Sequence, residues 1–339
     1  MPKLREPLTK LAAILAITAL VLLAMGSLPI AALLLCAAYG ALCIEFRTHT
    51  GTPQFISMLM VGALLGMMID LHHGLFPLVT SASLLSAGAT VLRQAYMQKL
   101  TYVRFLVIEP MLMTAAIACQ VVAMCAVPFA WDLWLLPALP MVAACVLVVN
   151  YAYDGVLLKS SARFGYRIQV GQPAPAIELP DQFGSMVKLS SYRGDHPVLL
   201  IFVRGDWCPG CHMMLRTYER NRETFLRKGV HVLAIGPDSI EVNKDMVERL
   251  GVGYKLLSDH EQRVSRQFGV VYNNPLIEQN VDYTQGIPLP ASFLVDREGI
   301  VRYVSRPDRV GEFLNPELIF GVLNSMPDSP GAQWEQKRA

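Results

Sequence analysis

The residues best equipped for chemistry stand together in Arg204-Gly205-Asp206-Trp207-Cys208-Pro209-Gly210-Cys211. A Cys-x-x-Cys at the start of a helix puts its first thiol where the helix N-terminal amides and the macrodipole stabilise a thiolate. Cys208 is therefore the expected nucleophile. Cys211, one turn along, is close enough to attack a mixed disulfide or a sulfenic acid formed on Cys208. Arg204 and His212 add positive potential if they face the sulfurs, and Trp207 and Pro209 are expected to shape the pocket and tune the thiol pair.

The same spacing also occurs as half of a zinc site. A second pair of ligands is missing: Cys208 and Cys211 are the only cysteines after residue 167, and His196, His212, His231 and His260 form no pair at zinc-finger spacing. The other five cysteines, Cys36, Cys43, Cys119, Cys125 and Cys145, lie in apolar segments. There a free thiol packs as a small hydrophobe. Cys36 and Cys43, seven apart, are also compatible with an electron relay within the membrane.

The elements that must position the Cys pair follow from the apolar pattern. Val198 to Val203 and Val230 to Ile235 are continuous apolar runs of strand length, and Cys211 to Lys228 has helical spacing with Gly229 as its stop. Strand, helix, strand is the unit of a parallel sheet. Further on the pattern gives a helix at Ile240 to Leu250, a strand at Tyr254 to Leu257 and a helix at Gln262 to Phe268. A hairpin of Ala291 to Asp296 and Ile300 to Val304 turns at Gly299, and a helix near Pro316 to Met326 closes the set.

The first half of the chain is different in kind. Of 339 residues, 53% are apolar and only 17% charged, with a mean hydropathy of +0.38, so part of the protein must live in lipid. Residues 1–167 hold ten Lys and Arg but six acids, whereas residues 168–339 hold 19 and 21. Neither half is basic enough to suggest nucleic acid. Six apolar stretches approach the ~20 residues that a bilayer demands: Leu11 to Met25, Leu28 to Ile44, Phe55 to Leu71, Leu75 to Leu92, Phe105 to Val127 and Leu133 to Tyr153. Lys3, Arg5, Lys10, Arg47, Arg93, Lys99, Arg104, Lys159, Arg163 and Arg167 all fall before, between or after these stretches on one side, and the alternate connections have none. The positive-inside rule then puts the N-terminus and everything after Tyr153 in the cytoplasm. Lys3, Arg5 and Lys10 before an apolar run also suit a cleaved signal peptide, but no Ala-x-Ala site follows, and the run is read as a first membrane helix. Glu45 and Glu109 are expected near the cytoplasmic face, snorkelling or pairing with Arg47 or Arg104. Asp70, His72 and His73 are read as an interfacial loop, because two adjacent His on a helix point in different directions and suit no metal.

Trp207-Cys-Pro-Gly-Cys211 between a strand and a helix resembles the thioredoxin superfamily. The wider set narrows this: Gly171-Gln-Pro-Ala-Pro-Ala-Ile-Glu-Leu179, Gly184 to Leu189, Tyr192-Arg-Gly194, Cys208 and Leu289-Pro-Ala-Ser-Phe-Leu-Val-Asp-Arg-Glu-Gly299. These resemble the redoxin branch that contains the alkyl hydroperoxide reductase/thiol-specific antioxidant proteins, peroxiredoxins among them, and the TlpA-like disulfide reductases. The resemblance covers about Val170 to Met326. It implies that Pro290 falls at the cis-proline position opposite the reactive cysteine. It also shows departures: where peroxiredoxins carry a Pro seven residues and a Thr or Ser three residues before the peroxidatic Cys, this chain has Ile201 and Gly205, and no arginine stands beside Pro290. Residues 271–288 look like an extra loop that shapes access.

The expected architecture is an all-α transmembrane bundle of about six helices over residues 1–158, a linker at 159–172, an α/β thioredoxin-like domain with a mixed central sheet at 173–326, and a polar tail at 327–339. The expected function is that of a multi-pass, membrane-anchored oxidoreductase. Cys208 attacks a disulfide or hydroperoxide, Cys211 resolves the product, and a thioredoxin-like thiol donor reduces the pair, with no metal or organic cofactor. A non-catalytic redox sensor or scaffold, in which the state of the pair controls the membrane module or a partner, is the alternative.

Overall fold

The computed structural model describes residues 7–46, 52–96, 102–162, 165–275, 278, 283, 285–306 and 312–326. Lys3, Arg5, Arg47, Lys99 and Arg163 of the charge pattern, part of the loop within 271–288, and the tail 327–339 lie outside the described residues. The chain divides into two compact units, with the main division between Gly155 and Val156.

The first unit is helical: α1 (Pro7–Ala24), α2 (Leu28–Phe46), α3 (Thr52–His73), α4 (Leu78–Tyr96), α5 (Tyr102–Ala126), a short α6 (Trp131–Leu135) and α7 (Ala138–Ala162). Five of the described helices are long and apolar enough to cross a membrane, and Leu78–Leu92 of α4 is a shorter apolar stretch. The sixth expected span is not one continuous helix. Pro137 lacks the N–H that would continue α6, so the chain turns there before α7 begins.

Buried carboxylates close two helix ends in this unit. Glu45, at the end of α2, accepts from the backbone amides of Leu8 (3.1 Å) and Thr9 (2.6 Å) at the start of α1. Asp70 accepts from the amides of Val79 (2.9 Å) and Thr80 (2.8 Å) and from the Thr80 hydroxyl (2.7 Å) at the start of α4. These orphan amides have no partner within their own helices, and an acid at a helix N-terminus also suits the dipole. Glu45 therefore caps a helix rather than snorkelling, and Asp70 is a buried cap rather than a loop residue. Gly62 and Gly66, four apart on α3, let α4 approach: a Cβ on Gly66 would lie 2.5 Å from the Thr80 Cα. This small-xxx-small spacing is a membrane-helix packing signal.

The second unit is built on a five-stranded sheet in the order β5-β4-β3-β8-β9. Its strands are β3 (Val198–Phe202), β4 (His231–Gly236), β5 (Lys255–Ser258), β8 (Ala291–Val295) and β9 (Val301–Val304). β3, β4 and β5 run parallel, and β8 and β9 run antiparallel to their neighbours. Two short pairs, β1 (Glu178–Pro180) with β2 (Met186–Lys188) and β6 (Val271–Tyr272) with β7 (Ile287–Pro288), stand outside the main sheet. The fold is thioredoxin-like with a mixed sheet, as the resemblance implies.

Alternation along β3 sorts its side chains to two cores. Leu199 and Ile201 pack with α8 (Pro209–Arg220), α10 (Ile240–Leu250) and α12 (Pro316–Ser325), while Val198, Leu200 and Phe202 pack with α11 (Arg263–Phe268) and β8. With both faces covered, β3 carries no polar residue, which is why its apolar run is continuous. The expected helix from Cys211 to Lys228 is divided into α8 and α9 (Arg222–Arg227). Asn221 turns its side-chain amide back to the Thr217 carbonyl (2.8 Å) and ends α8, the local competition that makes Asn a poor interior helix residue.

Candidate active site

The strand β3 delivers the chain to Val203, still paired to β4 through the Ile235 carbonyl (2.9 Å), and the next eight residues form the site. Cys208 is the N-cap residue of α8, with extended backbone (φ −94°, ψ 108°), and Pro209 takes the first helical position. Proline fits there because its missing N–H would be an orphan in any case. The Cys208 sulfur accepts from the Cys211 amide (3.4 Å), as a serine or aspartate cap oxygen would. On α8, Cys211, Met214, Leu215 and Tyr218 share the inward face, so the second cysteine is anchored by the helix's own amphipathic spacing.

The two sulfurs are free thiols, and the Cys211 thiol donates to Cys208 Sγ at 2.9 Å. Cys208 retains 6% exposure and Cys211 1%, so a reagent reaches Cys208 first. Burial pushes the Cys211 thiol well above its ordinary value, and the adjacent Cys208 sulfur pushes it further, while the Arg204 amide and charge pull partly against this. Cys211 is thereby held as a neutral donor to Cys208. A helix start on one side and a thiol donor on the other both favour negative charge on Cys208.

Arg204 is buried beside the pair. Its amide donates to Cys211 Sγ (3.2 Å), its guanidinium donates to the Tyr272 hydroxyl, and the guanidinium carbon sits 4.7 Å from the Trp207 ring centroid and 5.4 Å from that of Tyr272. A planar cation between aromatic faces is stabilised where a hydrated ammonium would not be. The structure thus brings Arg204, Trp207, Pro209, Cys208 and Cys211 into one neighbourhood.

His212 and Pro290 fare differently. His212 Nε2 bonds to Asp206 Oδ1 (2.9 Å), and Arg249 also pairs with that carboxylate. Against the cost of burial, these two partners hold the Asp206 carboxyl below its ordinary value. The imidazole is committed to Asp206. The Leu289–Pro290 bond is trans, because the cis peptide among the described residues is Phe76–Pro77. The expectation of a cis-proline is corrected here. Ile287 and Pro288 pair with Val271 and Tyr272, and Leu289 donates to the Val270 carbonyl (2.6 Å). β7 thus leads towards β8 along an extended path that a trans bond continues. The Pro290 carbonyl accepts from the Tyr166 hydroxyl (3.3 Å).

Sequence reasoning misses a second acid, Asp238, which follows β4 at the C-terminal edge of the sheet. It accepts from the Asp206 amide (2.8 Å) and from the Tyr283 hydroxyl. Burial raises its carboxyl, as does the Asp206 charge, despite the bonds from Tyr283 and the Asp206 amide. Its position just beyond a parallel strand was a usable signal, since open α/β sheets place their sites there. Tyr283 had no such signal. Burial and Asp238 raise its phenol, offset in part by the Trp207 indole. Gly205 lies beneath these groups at φ +126°, and a Cβ there would overlap the Tyr283 hydroxyl and stand 3.2 Å from Asp238 Oδ2.

The AhpC/TSA family pattern matches residues 170–304. Peroxiredoxin Bcp of Escherichia coli (strain K12) is 31% identical over 137 residues, 40% of this chain and 85% of that protein. Peroxiredoxin Bcp of Bacillus subtilis (strain 168) is 30% identical over 151 residues, 43% of this chain and 93% of that protein. The chain spans 59% of the length of the chloroplastic peroxiredoxin Q of rice (Oryza sativa subsp. japonica), at 28% identity over 41% of its own. Among solved structures, peroxidoxin BcpB from Mycobacterium tuberculosis is 23% identical with a TM-score of 0.42, over 47% of this chain and 99% of that one.

Proposed function

The chain belongs to the AhpC/TSA family, and on that premise we propose that it is a membrane-anchored, peroxiredoxin-like dithiol oxidoreductase in which Cys208 attacks a hydroperoxide. The observation that carries this is the pairing of a sulfur cap on α8 with a buried, neutral thiol donor 2.9 Å away. The Cys208 thiolate takes the terminal peroxide oxygen, the O–O bond breaks, and water or an alcohol leaves as Cys208 becomes a sulfenic acid. Cys211 then attacks that sulfur, releasing water and forming the Cys208–Cys211 disulfide. A thioredoxin-like dithiol donor returns two electrons and restores both thiols. Arg204 contributes positive charge beside the sulfurs, and Trp207 and Pro209 shape the approach; Pro290 belongs to the segment entering β8.

One observation favours a disulfide as the substrate instead. Gly205 stands where peroxiredoxins carry a Thr or Ser hydroxyl, and the Tyr283 hydroxyl occupies the space a side chain there would need. Stopped-flow oxidation of Cys208 separates the two readings. Reaction with hydrogen peroxide far faster than a free thiol's supports peroxide reduction, and a rate no faster than a free thiol's transfers the proposal to disulfides.

The helical unit is the proposed anchor, of residues 1–158 with a linker at 159–172 before the redox domain of 173–326. Five spans of sufficient length and apolarity support it, and the one-sided Lys and Arg pattern favours a cytoplasmic redox domain. Labelling of Cys208 by an impermeant maleimide only after cell permeabilisation is the expected result. Labelling in intact cells reverses the orientation.

A further inference from the structure

The end of the helical unit that lacks Lys and Arg carries a cluster the redox chemistry does not use. His72 and His73 finish α3, and Asp132 lies in the first turn of α6. Adjacent residues inside a helix diverge, and the sequence alone argues against a joint site. At the helix end the two rings instead turn towards each other, T-shaped with centroids 4.8 Å apart. His73 Nε2 lies 2.9 Å from Asp132 Oδ2, and one donor atom from each of the three residues falls within 4.8 Å of the others. We propose that His72, His73 and Asp132 bind a divalent transition-metal ion, with Zn²⁺ the best fit, in a site that leaves a fourth position for water or another ligand.

The chemistry of the donors selects the ion. Two imidazoles and one carboxylate suit zinc and its neighbours, whereas Mg²⁺ and Ca²⁺ prefer an all-oxygen set. On a tetrahedral ion with bonds of about 2.0–2.1 Å, neighbouring ligand atoms lie about 3.3 Å apart. The 2.9 Å separation and the 4.8 Å limit bracket that value.

The surroundings favour a cation there. No Lys or Arg occurs between Lys10 and Arg47, between Arg47 and Arg93, or between Arg104 and Lys159. Those stretches include every connection at this end, so Asp132 has no lysine or arginine within them to balance it. The nearby acid, Asp70, is taken by the amides of α4 and is no competitor. That cap fixes the turn after α3 and hence the place of His72 and His73. Phe129 and Trp134, in ring contact at 5.8 Å, with Trp131, form an exposed aromatic group of the kind found at membrane interfaces. Such a depth leaves one side of the site open to water. A bound ion would fasten α3 to a segment 59 residues away, the role of a structural metal.

The test uses the full-length protein in detergent with Cys208 and Cys211 both replaced by serine, so that the redox pair cannot hold metal. Titration with Zn²⁺ by calorimetry is expected to show one saturable equivalent per chain. Co²⁺ is expected to give d–d bands without thiolate charge transfer, which excludes the membrane cysteines as ligands. Asp132→Asn and His73→Ala are each expected to weaken affinity by at least tenfold, the scale of losing even an indirect partner. His72→Ala gives the control for folding, since His72 is exposed. It is expected to weaken Zn²⁺ binding while leaving the metal-free melting temperature unchanged. Absence of a saturable equivalent in the parent protein overturns the proposal, as does one whose affinity in His72→Ala and Asp132→Asn is unchanged from the parent's. Neither result bears on the redox assignment.

Discussion

Several helices in this molecule begin against an acceptor from a side chain, and three of them differ in a way that bears on chemistry. In the helical unit α1 is closed by Glu45 and α4 by Asp70, carboxylates that reach across from another helix. In the redox domain α8 is closed by the sulfur of its own Cys208. All three use the same orphan amides and the same dipole. A carboxylate with three bonds, as on Asp70, is a finished structural joint. A thiolate with one long bond from an amide and one from a thiol is stabilised but still nucleophilic. A helix N-terminus is thus structural or chemical according to the atom it faces.

That contrast is broken most severely at Cys208. Serine there remains a good N-cap, so Cys208→Ser is expected to match the parent's unfolding free energy within ~0.5 kcal/mol in denaturant melts, yet to lose turnover to background, a fall of at least ~10³-fold by analogy with other removed nucleophiles. Peroxide consumption with a dithiol donor measures the loss. Retention of thiol-dependent turnover would remove Cys208 from the mechanism. Cys211→Ser is expected to stop at a sulfenic acid or a mixed disulfide on Cys208, visible as a mass increase, rather than at the intramolecular disulfide.

Gly205 tests whether the sulfur cap needs the space around it. Threonine at this position restores the residue type that peroxiredoxins carry, and a motif-based view predicts a better peroxidase. The structure predicts the reverse. At φ +126° a β-branched residue is strained, by roughly 1–3 kcal/mol, and its Cβ overlaps the Tyr283 hydroxyl. Gly205→Thr is expected to lower stability by about 2–4 kcal/mol in denaturant melts and to reduce turnover. A gain in peroxidase rate at unchanged stability would show that Tyr283 moves freely out of the site.

The legibility of the two regions differs for the same physical reason. β3, β8 and the apolar helices are continuous apolar runs and α10 is strongly periodic, so the expected spans match the observed ones apart from the break before α7. Cys208 and Cys211 were legible because a short motif at a strand-to-helix junction fixes their relation without any long-range contact. Asp238, Tyr272 and Tyr283 are brought to the pair from separate parts of the fold, and no spacing connects them to it. Likewise Glu45 lies 36 residues from Thr9, so its capping role was hidden and its position near a helix end suggested snorkelling instead. The Leu289–Pro290 bond shows the opposite error. A family position suggested a conformation that the pairing of β7 and the Leu289 amide does not require.

The carboxylate joints are expected to carry stability and no chemistry. Asp70→Ala strips three bonds from the start of α4 and leaves buried donors behind, at a cost of about 2–3 kcal/mol. Thermal melts in detergent followed by circular dichroism should register it, while turnover per folded molecule stays at the parent level. A comparable loss of turnover from this variant would mean that the helical unit takes part in the redox cycle.

The smallest effect is expected at Asp238, a buried acid near the thiols that faces no helix N-terminus. Its carboxyl is raised above the ordinary 3.8, chiefly by burial. Between 3.8 and the raised value the folded domain holds a proton that the unfolded chain has released. Stability contributed by the protonated acid is therefore complete below 3.8 and is lost as pH rises through the folded value. The loss is about 1.4 kcal/mol for each pH unit separating the two values. Asp206 acts in the opposite sense but in a different window, since its carboxyl is lowered and its contribution disappears only as pH falls below 3.8. Asp238→Asn has no proton to release, so its stability should be flatter with pH above 3.8 than the parent's, while the acid limb set by Asp206 remains. Denaturant melts of the two proteins at closely spaced pH values above 3.8 make the comparison. Parallel curves would mean that Asp238 is already ionised across this range, and that the Tyr283 and Asp206 bonds outweigh its burial, which would make it a joint like Asp70 after all.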